Sequence, residues 1–457
     1  MATLPRVCVI GAGSSGIAAA KALNERGFDF DCFDASDRVG GNWVFGNANG
    51  MSAAYRSLHI NTSRERMEYS DFPMPKSYPD FPHHTHIARY FDDYVDHFGF
   101  RDRITFKTRV ERAERDGAGL WRITLDRGEA RAYDALLVAN GHHWDPRWPE
   151  PAFPGAESFA GVQMHSHEYK GEDPLFFRDK RVVVLGMGNS AMDIAVEASF
   201  SAAATYLAAR RGAWIIPKYV FGRPLDQIGT RPGIPFKVKQ LAMHALIRTA
   251  VGDMERYGLP KPDHRLLGAH PTVSDDVLSR IAHGEIASKP NIERLTERTV
   301  VFADGSEVEA DIVVYCTGYK ITFPFFDQGF ISAPDNDLPL FRRVFHPDIP
   351  ALGFIALLQP LGATMPLAEA QSAWLCDHFS GRYELPPRAE MLADVERERR
   401  ALAKRYVSSK RHTMEVDFDD YLADLDKERR RGAARAAVIG HRLPVPPRAG
   451  SEAAVAP

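Results

Sequence analysis

A chain of 457 residues is long enough for two or three domains, and 44% hydrophobic with 26% charged residues is the balance of an ordinary globular protein. A formal net charge of −3 supplies no field that would gather nucleic acid or an anionic membrane. The four cysteines, Cys8, Cys32, Cys316 and Cys376, form no CxxC pair for a dithiol relay or zinc, and Cys8, Cys32 and Cys316 sit in or beside apolar runs and read as buried thiols.

No basic leader precedes the first apolar run, and no stretch approaches the ~20 apolar residues of a membrane span. The richest candidate, "FKVKQLAMHALIRTAVG", carries two lysines and an arginine and reads as an amphipathic helix. A cytoplasmic protein without an integral membrane segment is therefore expected.

The first element group, "RVCVIGAGSSGIAAAKALNERGFDFDCFDAS", reads as strand, glycine turn, helix, a stop at Gly27 and a second strand, which is a βαβ unit with parallel strands. Gly11, Gly13 and Gly16 form GxGxxG at its turn. Gly11 permits the tight turn, Gly13 lets the amides around Ala12, Ser14 and Ser15 approach a pyrophosphate, and Gly16 lets helix and strand pack closely. Asp34 ends the second strand, where a carboxylate accepts hydrogen bonds from ribose hydroxyls and repels a 2′-phosphate. FAD or NAD fits this cradle; NADP does not.

A helix over "HIARYFDDYVDHFGF" and short strands over "ITFKTRVERAE" and "GLWRITLD" come next. His83, His84 and His86 lack metal-ligand spacing and read as a wet loop, so no metal is expected. A further apolar run, "DALLVANG", precedes the proline-rich "WDPRWPEPAFPG".

Residues 180–211 then repeat the opening scheme. Gly186, Gly188 and Ala191 give GxGxxA, with Asn189, Ser190 and Asp193 at the start of the helix. This unit's second strand, "AATYLAARRG", ends in Arg210 and Arg211 with no carboxylate, which suits the 2′-phosphate of NADP. Residues 213–290 form a mixed region expected at a substrate entrance. "TVVFADGSEVEADIVVYCTGY" reads as a hairpin with an Asp-Gly turn, then an apolar strand. "VANG" and "YCTG" are alike, and mark two crossings between a larger discontinuous domain and an inserted one. Residues 388–436 are charged and helix-prone, reading as a solvated face or, as a second reading, a subunit contact.

The expected fold is α/β, with two dinucleotide-binding, Rossmann-like domains and the NADP domain inserted into a discontinuous FAD domain. The boundaries expected are 1–155 for the first part of the FAD domain and 156–305 for the NADP domain, with a helical insertion at about 213–290. The second part of the FAD domain and C-terminal helices are expected over 306–445, and a disordered tail over 446–457. Two cradles imply one resident cofactor with a free ribose diol and a second site for the NADPH that reduces it. FAD is the natural resident, because hydride passes from nicotinamide to flavin. With neither a dithiol nor a metal cluster in view, dioxygen or another protein must take the electrons.

"FAGVQMHSHEYK" contains Phe159, Gly161, His165 and Tyr169, and resembles the FxGxxxHxxxY/F fingerprint of the flavin-containing monooxygenases. "DRVGGNW", "YRSLHINTSRERMEYSDFP", "ARRGAWIIPKY", "VVYCTGY" and "FHPDIPALGFIALLQPLGATMPLAEAQSAW" resemble further segments of that family in the same order, over nearly the whole chain. The resemblance implies an FAD- and NADPH-dependent monooxygenase that forms a C4a-hydroperoxyflavin. Its expected partners are O2 and soft nucleophiles, with sulfides going to sulfoxides and amines to N-oxides or hydroxylamines. It also implies that Asn61 is catalytic, orienting oxygen together with retained NADP+. Gly40, Gly41, Asn42, Trp43, Asn61 and Thr62 are expected along the flavin, with Trp43 equally readable as core packing. Ile60 and Asn61 are expected against NADP. Phe159, Gly161, His165 and Tyr169 are expected between the domains, His165 with a structural and NADP-positioning role.

Two departures stand out: Cys316 replaces the family's usual alanine, and the C-terminal membrane-anchoring helix of animal members is expected to be absent. Baeyer–Villiger relatives prefer tryptophan where Tyr169 stands, which favours heteroatom oxygenation without excluding ketone oxidation. A soluble microbial type, homodimeric, is expected. Ketone oxidation, an uncoupled NADPH oxidase and a non-catalytic redox sensor are the competing readings.

Overall fold

A computed structural model describes residues 4–228, 234–405 and 412–444, so the tail expected over 446–457 lies outside the described residues. The chain divides into two units. One comprises the chain up to Ser52, Thr62–Trp144 and the chain from Ile321 onward; the other comprises Ala53–Asn61 and Asp145–Lys320.

The first unit is built on a six-stranded sheet. Five strands run parallel in the spatial order Ile104–Thr105, Phe30–Phe33, Val7–Ile10, Ala135–Val138 and Ile349–Phe354, and Phe345–His346 adds an antiparallel edge. The central strand VCVI and its neighbour ALLV are buried at every position. Parallel strands covered on both faces have no polar side to alternate with, which is why these runs are continuously apolar. The helix Ser14–Glu25 covers one face and packs against the mostly buried helix Met365–Phe379. A separate three-stranded antiparallel sheet carries Trp121, fully buried, whose indole N–H donates to the Ala351 carbonyl at 3.2 Å. The charged C-terminal stretch forms helices Arg388–Arg405 and Phe418–Ile439. The latter buries a stripe through Tyr421, Leu425 and Gly432, where a methyl on Gly432 would meet the Tyr383 ring at 1.9 Å.

The second unit repeats the plan with five parallel strands in the order Ala287–Lys289, Ala204–Ala208, Arg181–Leu185, Ile312–Tyr315 and Val162–His165. In both sheets the strand that opens the glycine turn is flanked by the strand after its helix on one side and by a later strand on the other. That break in order leaves a crevice beyond the strand ends, the usual seat of a dinucleotide. The helix Asn189–Ser199 follows the second glycine turn.

Two features depart from the expected boundaries. Ile312–Tyr315 was expected in the closing part of the FAD domain, but its apolar run pairs with Arg181–Leu185, and the second unit extends to Lys320. Residues 53–61, expected within a continuous 1–155, group with the second unit because their hydrogen bonds run to Lys170, Asp193 and Glu197. Where the chain enters and leaves the second unit, Asp145–Pro146 and Tyr319–Lys320 pair antiparallel. The region 213–290 holds one helix of length, Phe236–Ala250, among short strands and turns. No helix among the described residues is long and apolar enough to cross a membrane.

Candidate dinucleotide sites

The first cradle lies at the C-terminal end of the central strand Val7–Ile10. Gly11 has φ +101°, and a methyl there would stand 2.5 Å from the Ala139 carbonyl oxygen, so only glycine closes this turn without displacing the neighbouring strand's exit. A methyl on Gly16 would stand 1.8 Å from the Gly11 carbonyl oxygen. Gly13 faces the second glycine pair: a methyl on Gly41 would lie 3.0 Å from its Cα. The slot between these turns therefore has walls of bare backbone. Gly13 caps the helix Ser14–Glu25 without a side-chain hydrogen bond, and no acid occupies the first turn. The partial positive charge of the helix end and the opening amides of Ser14 and Ser15 are thus left for an anion.

Asp34 is held tightly. Its carboxylate accepts from the Ala12 N–H at 2.5 Å and from the Ser36 N–H at 2.7 Å, and burial raises its pKa despite those two donors. Each oxygen retains a lone pair, so the carboxylate that shapes the turn can also receive a ribose diol. Gly40 and Gly41 both have positive φ and lead into the short helical turn Gly41–Trp43. The Asn42 carbonyl accepts from the Ser52 hydroxyl at 2.8 Å. Trp43 is only partly buried, outside the packed interior, and Thr62 is likewise half-buried.

The second cradle follows the same construction. Gly186 has φ +142°, and a methyl on it would come within 2.6 Å of the Cys316 carbonyl oxygen. Ala139 and Cys316 thus serve as the floors of two equivalent turns, which is the physical content of the "VANG" and "YCTG" likeness. Gly188 caps Asn189–Ser199 without a side-chain bond or a first-turn acid, and Ala191 is fully buried against the sheet. The Asn189 side-chain Oδ1 accepts from the Val273 N–H at 2.9 Å, turning that side chain toward the loop beyond, while Ser190 is half-buried. Arg210 and Arg211 are exposed just past the strand Ala204–Ala208. Arg211 stands 3.9 Å from Asp263, and Arg210 has no ion pair among the described residues. Lys289, on the next strand and paired with Ala208, is a cation near the same strand end that pattern reading along one βαβ unit misses, because its strand arrives some 80 residues later.

The fingerprint residues build structure. A methyl on Gly161 would meet the Phe159 ring at 2.5 Å and the Asp311 carbonyl oxygen at 2.6 Å, so the phenylalanine fills the space the glycine vacates. His165 ends the strand Val162–His165, fully buried, with Nδ1 accepting from the His167 N–H at 3.1 Å. Burial depresses its pKa to about 4, so it is neutral at physiological pH and carries no charge to a phosphate. The Tyr169 hydroxyl donates to Glu197.

Ile60 is buried and Asn61 half-buried at the end of the segment Ala53–Asn61. Asp193, expected beside the pyrophosphate, accepts from the Tyr55 hydroxyl. None of the predicted cofactor residues lines the cavity of about 370 Å3 in the 213–290 region, whose walls include Pro217, Tyr219, Phe221, Val251, Tyr257 and Leu278. His83 caps the helix His84–His97 by accepting from the Thr85 N–H, and no metal-binding cluster is present among the described residues.

Comparison with known proteins fixes the family. A family model described as flavin-binding monooxygenase-like matches residues 5–432. The chain belongs to that family. It is 38% identical over 440 residues to flavin-containing monooxygenase 5 of Rattus norvegicus, covering 92% of this chain and 82% of that protein. It is 34% identical over 447 residues to dimethylaniline monooxygenase [N-oxide-forming] 2 of Mus musculus, covering 93% and 82%. Among solved structures, S-allyl-L-cysteine S-oxygenase from Allium sativum superposes with a TM-score of 0.70 at 26% identity, over 95% of this chain and 93% of that one. This flavin monooxygenase accordingly uses FAD and NADPH. The donors present suit both groups: each cradle offers an uncapped helix start behind a side-chain-free turn.

Proposed function

We propose that this flavin monooxygenase uses NADPH and dioxygen to oxygenate soft sulfur and nitrogen nucleophiles, turning sulfides into sulfoxides and amines into N-oxides or hydroxylamines. The observation that supports the reading most is the pair of equivalent cradles with opposite charge where each ribose would lie, Asp34 at one and Arg210 with Arg211 at the other. The names of its relatives, an N-oxide-forming enzyme and an S-oxygenase, agree with it.

FAD held in the first cradle would supply the hydride-accepting and oxygen-activating chemistry, with NADPH as the hydride donor. The chain supplies the rest. Gly11, Ala12, Gly13, Ser14, Ser15 and Gly16 present backbone to the FAD pyrophosphate, and Asp34 receives the ribose. Gly40, Gly41, Asn42, Trp43 and Thr62 border the flavin. Gly186, Gly188, Asn189, Ser190 and Ala191 receive the NADP pyrophosphate, and Arg210 and Arg211 its 2′-phosphate.

Asn61 is the catalytic residue in this reading. Its neutral amide donates and accepts hydrogen bonds and carries no acidic proton, so it orients oxygen without protonating it prematurely. No side chain needs to activate the substrate, because the lone pair of a sulfide or amine attacks an electrophilic oxygen directly. Selectivity then comes from shape and access.

A panel containing a thioether, a tertiary amine and a cyclic ketone, scored by product against NADPH consumed, tests the reading. Sulfoxide and N-oxide matching NADPH loss are expected; lactone as the sole product would make it a Baeyer–Villiger enzyme. Asn61→Ala should retain flavin reduction by NADPH and divert the electrons to hydrogen peroxide.

A further inference from the structure

The helix that follows the second glycine turn carries two half-buried carboxylates, an odd choice for an element that must welcome a pyrophosphate. Asp193 and Glu197 stand four residues apart on Asn189–Ser199, hence one above the other on a single face. Both have pKa values raised, by burial before any other cause. Burying a carboxylate is costly unless donors meet it. Here three hydroxyls do: Tyr55 donates to Asp193, while Ser57 and Tyr169 donate to the two oxygens of Glu197.

Two of those hydroxyls belong to the segment Ala53–Asn61. Between them, the Arg56 N–H donates to the Lys170 carbonyl at 2.8 Å. Tyr55 and Tyr169 are 4% and 5% exposed, with ring centroids 6.3 Å apart, so the attachment is packed as well as hydrogen-bonded. Three consecutive residues are thus fastened to the dinucleotide helix and to the turn after the fingerprint strand. The Leu58 N–H closes a turn onto the Tyr55 carbonyl at 3.0 Å, and Ile60, 1% exposed, leads directly into Asn61. Asn61 itself makes no side-chain hydrogen bond among the described residues, so its amide inherits its place from this backbone.

We propose that Asp193 and Glu197 are positioning residues: they latch the segment Ala53–Asn61 to the dinucleotide helix, so that the Asn61 amide is carried by the unit that binds NADP. The inference rests on the reading of Asn61 given above. It gives Tyr169 a task within the fingerprint, since its hydroxyl completes the coordination of Glu197. It also accounts for carboxylates on a phosphate-binding helix, where they hold protein in place of ligand.

The test uses the FAD-loaded enzyme and the variants Tyr55→Phe, Ser57→Ala and Glu197→Ala, with Asn61→Ala as reference. Peroxide released per NADPH oxidised should rise severalfold in each of the three latch variants, while their rate of flavin reduction by NADPH stays within about twofold of the parent. Combined with Asn61→Ala, Tyr55→Phe should add almost nothing, because residues acting through one another are not additive. Hydrogen exchange provides a second readout should a variant fold poorly: in Ser57→Ala, amides of residues 53–61 should exchange faster while the sheet strands keep their protection. Leakage from Asn61→Ala without leakage from the latch variants would overturn the latch and spare the role of Asn61. So would fully additive effects, or lost thermal stability with coupling unchanged. An Asn61→Ala enzyme that stays coupled would instead overturn the catalytic reading, and the latch with it.

Discussion

Replacing Arg210 with alanine asks whether the second cradle recognises a phosphorylated ribose. Arg210 follows the strand Ala204–Ala208, at the place where the first unit has Asp34, and it has no ion pair among the described residues. A charge-assisted hydrogen bond is worth about 1.5–3 kcal/mol, and an exposed guanidinium falls in the lower half of that range. A loss of about 1.5–2 kcal/mol lowers kcat/KM for NADPH roughly 12- to 30-fold at 1.36 kcal/mol per tenfold. NADH has no 2′-phosphate, so its kcat/KM should move by less than about twofold, and the ratio of the two coenzymes carries the whole effect. Steady-state kinetics with both coenzymes at saturating oxygen measures it. Arg211→Ala should change the ratio less, because that guanidinium already faces Asp263 at 3.9 Å. Equal losses with NADPH and NADH in Arg210→Ala would refute the argument and place the 2′-phosphate contact elsewhere, with Lys289 the next cation to test.

Two further substitutions probe the scaffold. Gly27 and Gly11 both have positive φ, yet a methyl on Gly27 meets nothing within 4 Å while one on Gly11 stands 2.5 Å from the Ala139 oxygen. Gly27→Ala should cost about 1 kcal/mol in urea unfolding, the conformational term alone. Gly11→Ala should cost clearly more and lower the flavin bound per chain; equal costs would mean the close approach is unimportant. For His165, the folded pKa of about 4 lies below the ordinary 6.5, so the unfolded chain binds the extra proton and stability falls as pH drops from 6.5 toward 4. His165→Gln should remove about 3 kcal/mol of that fall, read from denaturation midpoints across the window. An unchanged pH dependence would show that this imidazole is not buried neutral.

Much of the architecture was legible because each sheet repeats one local rule. An apolar strand, three small residues and a helix identify a cradle without long-range information, and the charge after the next strand distinguishes the two. What local pattern could not give was everything set by distant pairing. Ile312–Tyr315 reads as an ordinary apolar strand, and only its partner Arg181–Leu185 assigns it to the second sheet. The residues 53–61 show no periodicity at all, and their attachment comes from single side chains on partners more than 100 positions away. The Tyr55 partner of Asp193 was hidden for the same reason: position in a helical turn indicates which way a side chain leaves, not which donor it meets. A sequence signal did exist, in the i, i+4 carboxylates of a helix that should repel them. The fingerprint, too, was visible as a spacing, whereas its use of Phe159 to fill the space beside Gly161 belongs to packing.

The central claim is that electrons from NADPH activate dioxygen and that one of its atoms reaches the substrate. Turnover of a simple thioether under isotopically labelled dioxygen, with NADPH, sulfoxide and peroxide counted together, addresses it most directly. One labelled oxygen in each sulfoxide, one sulfoxide for each NADPH and little peroxide are expected. Unlabelled sulfoxide, or NADPH consumed wholly as peroxide whatever nucleophile is offered, would contradict it.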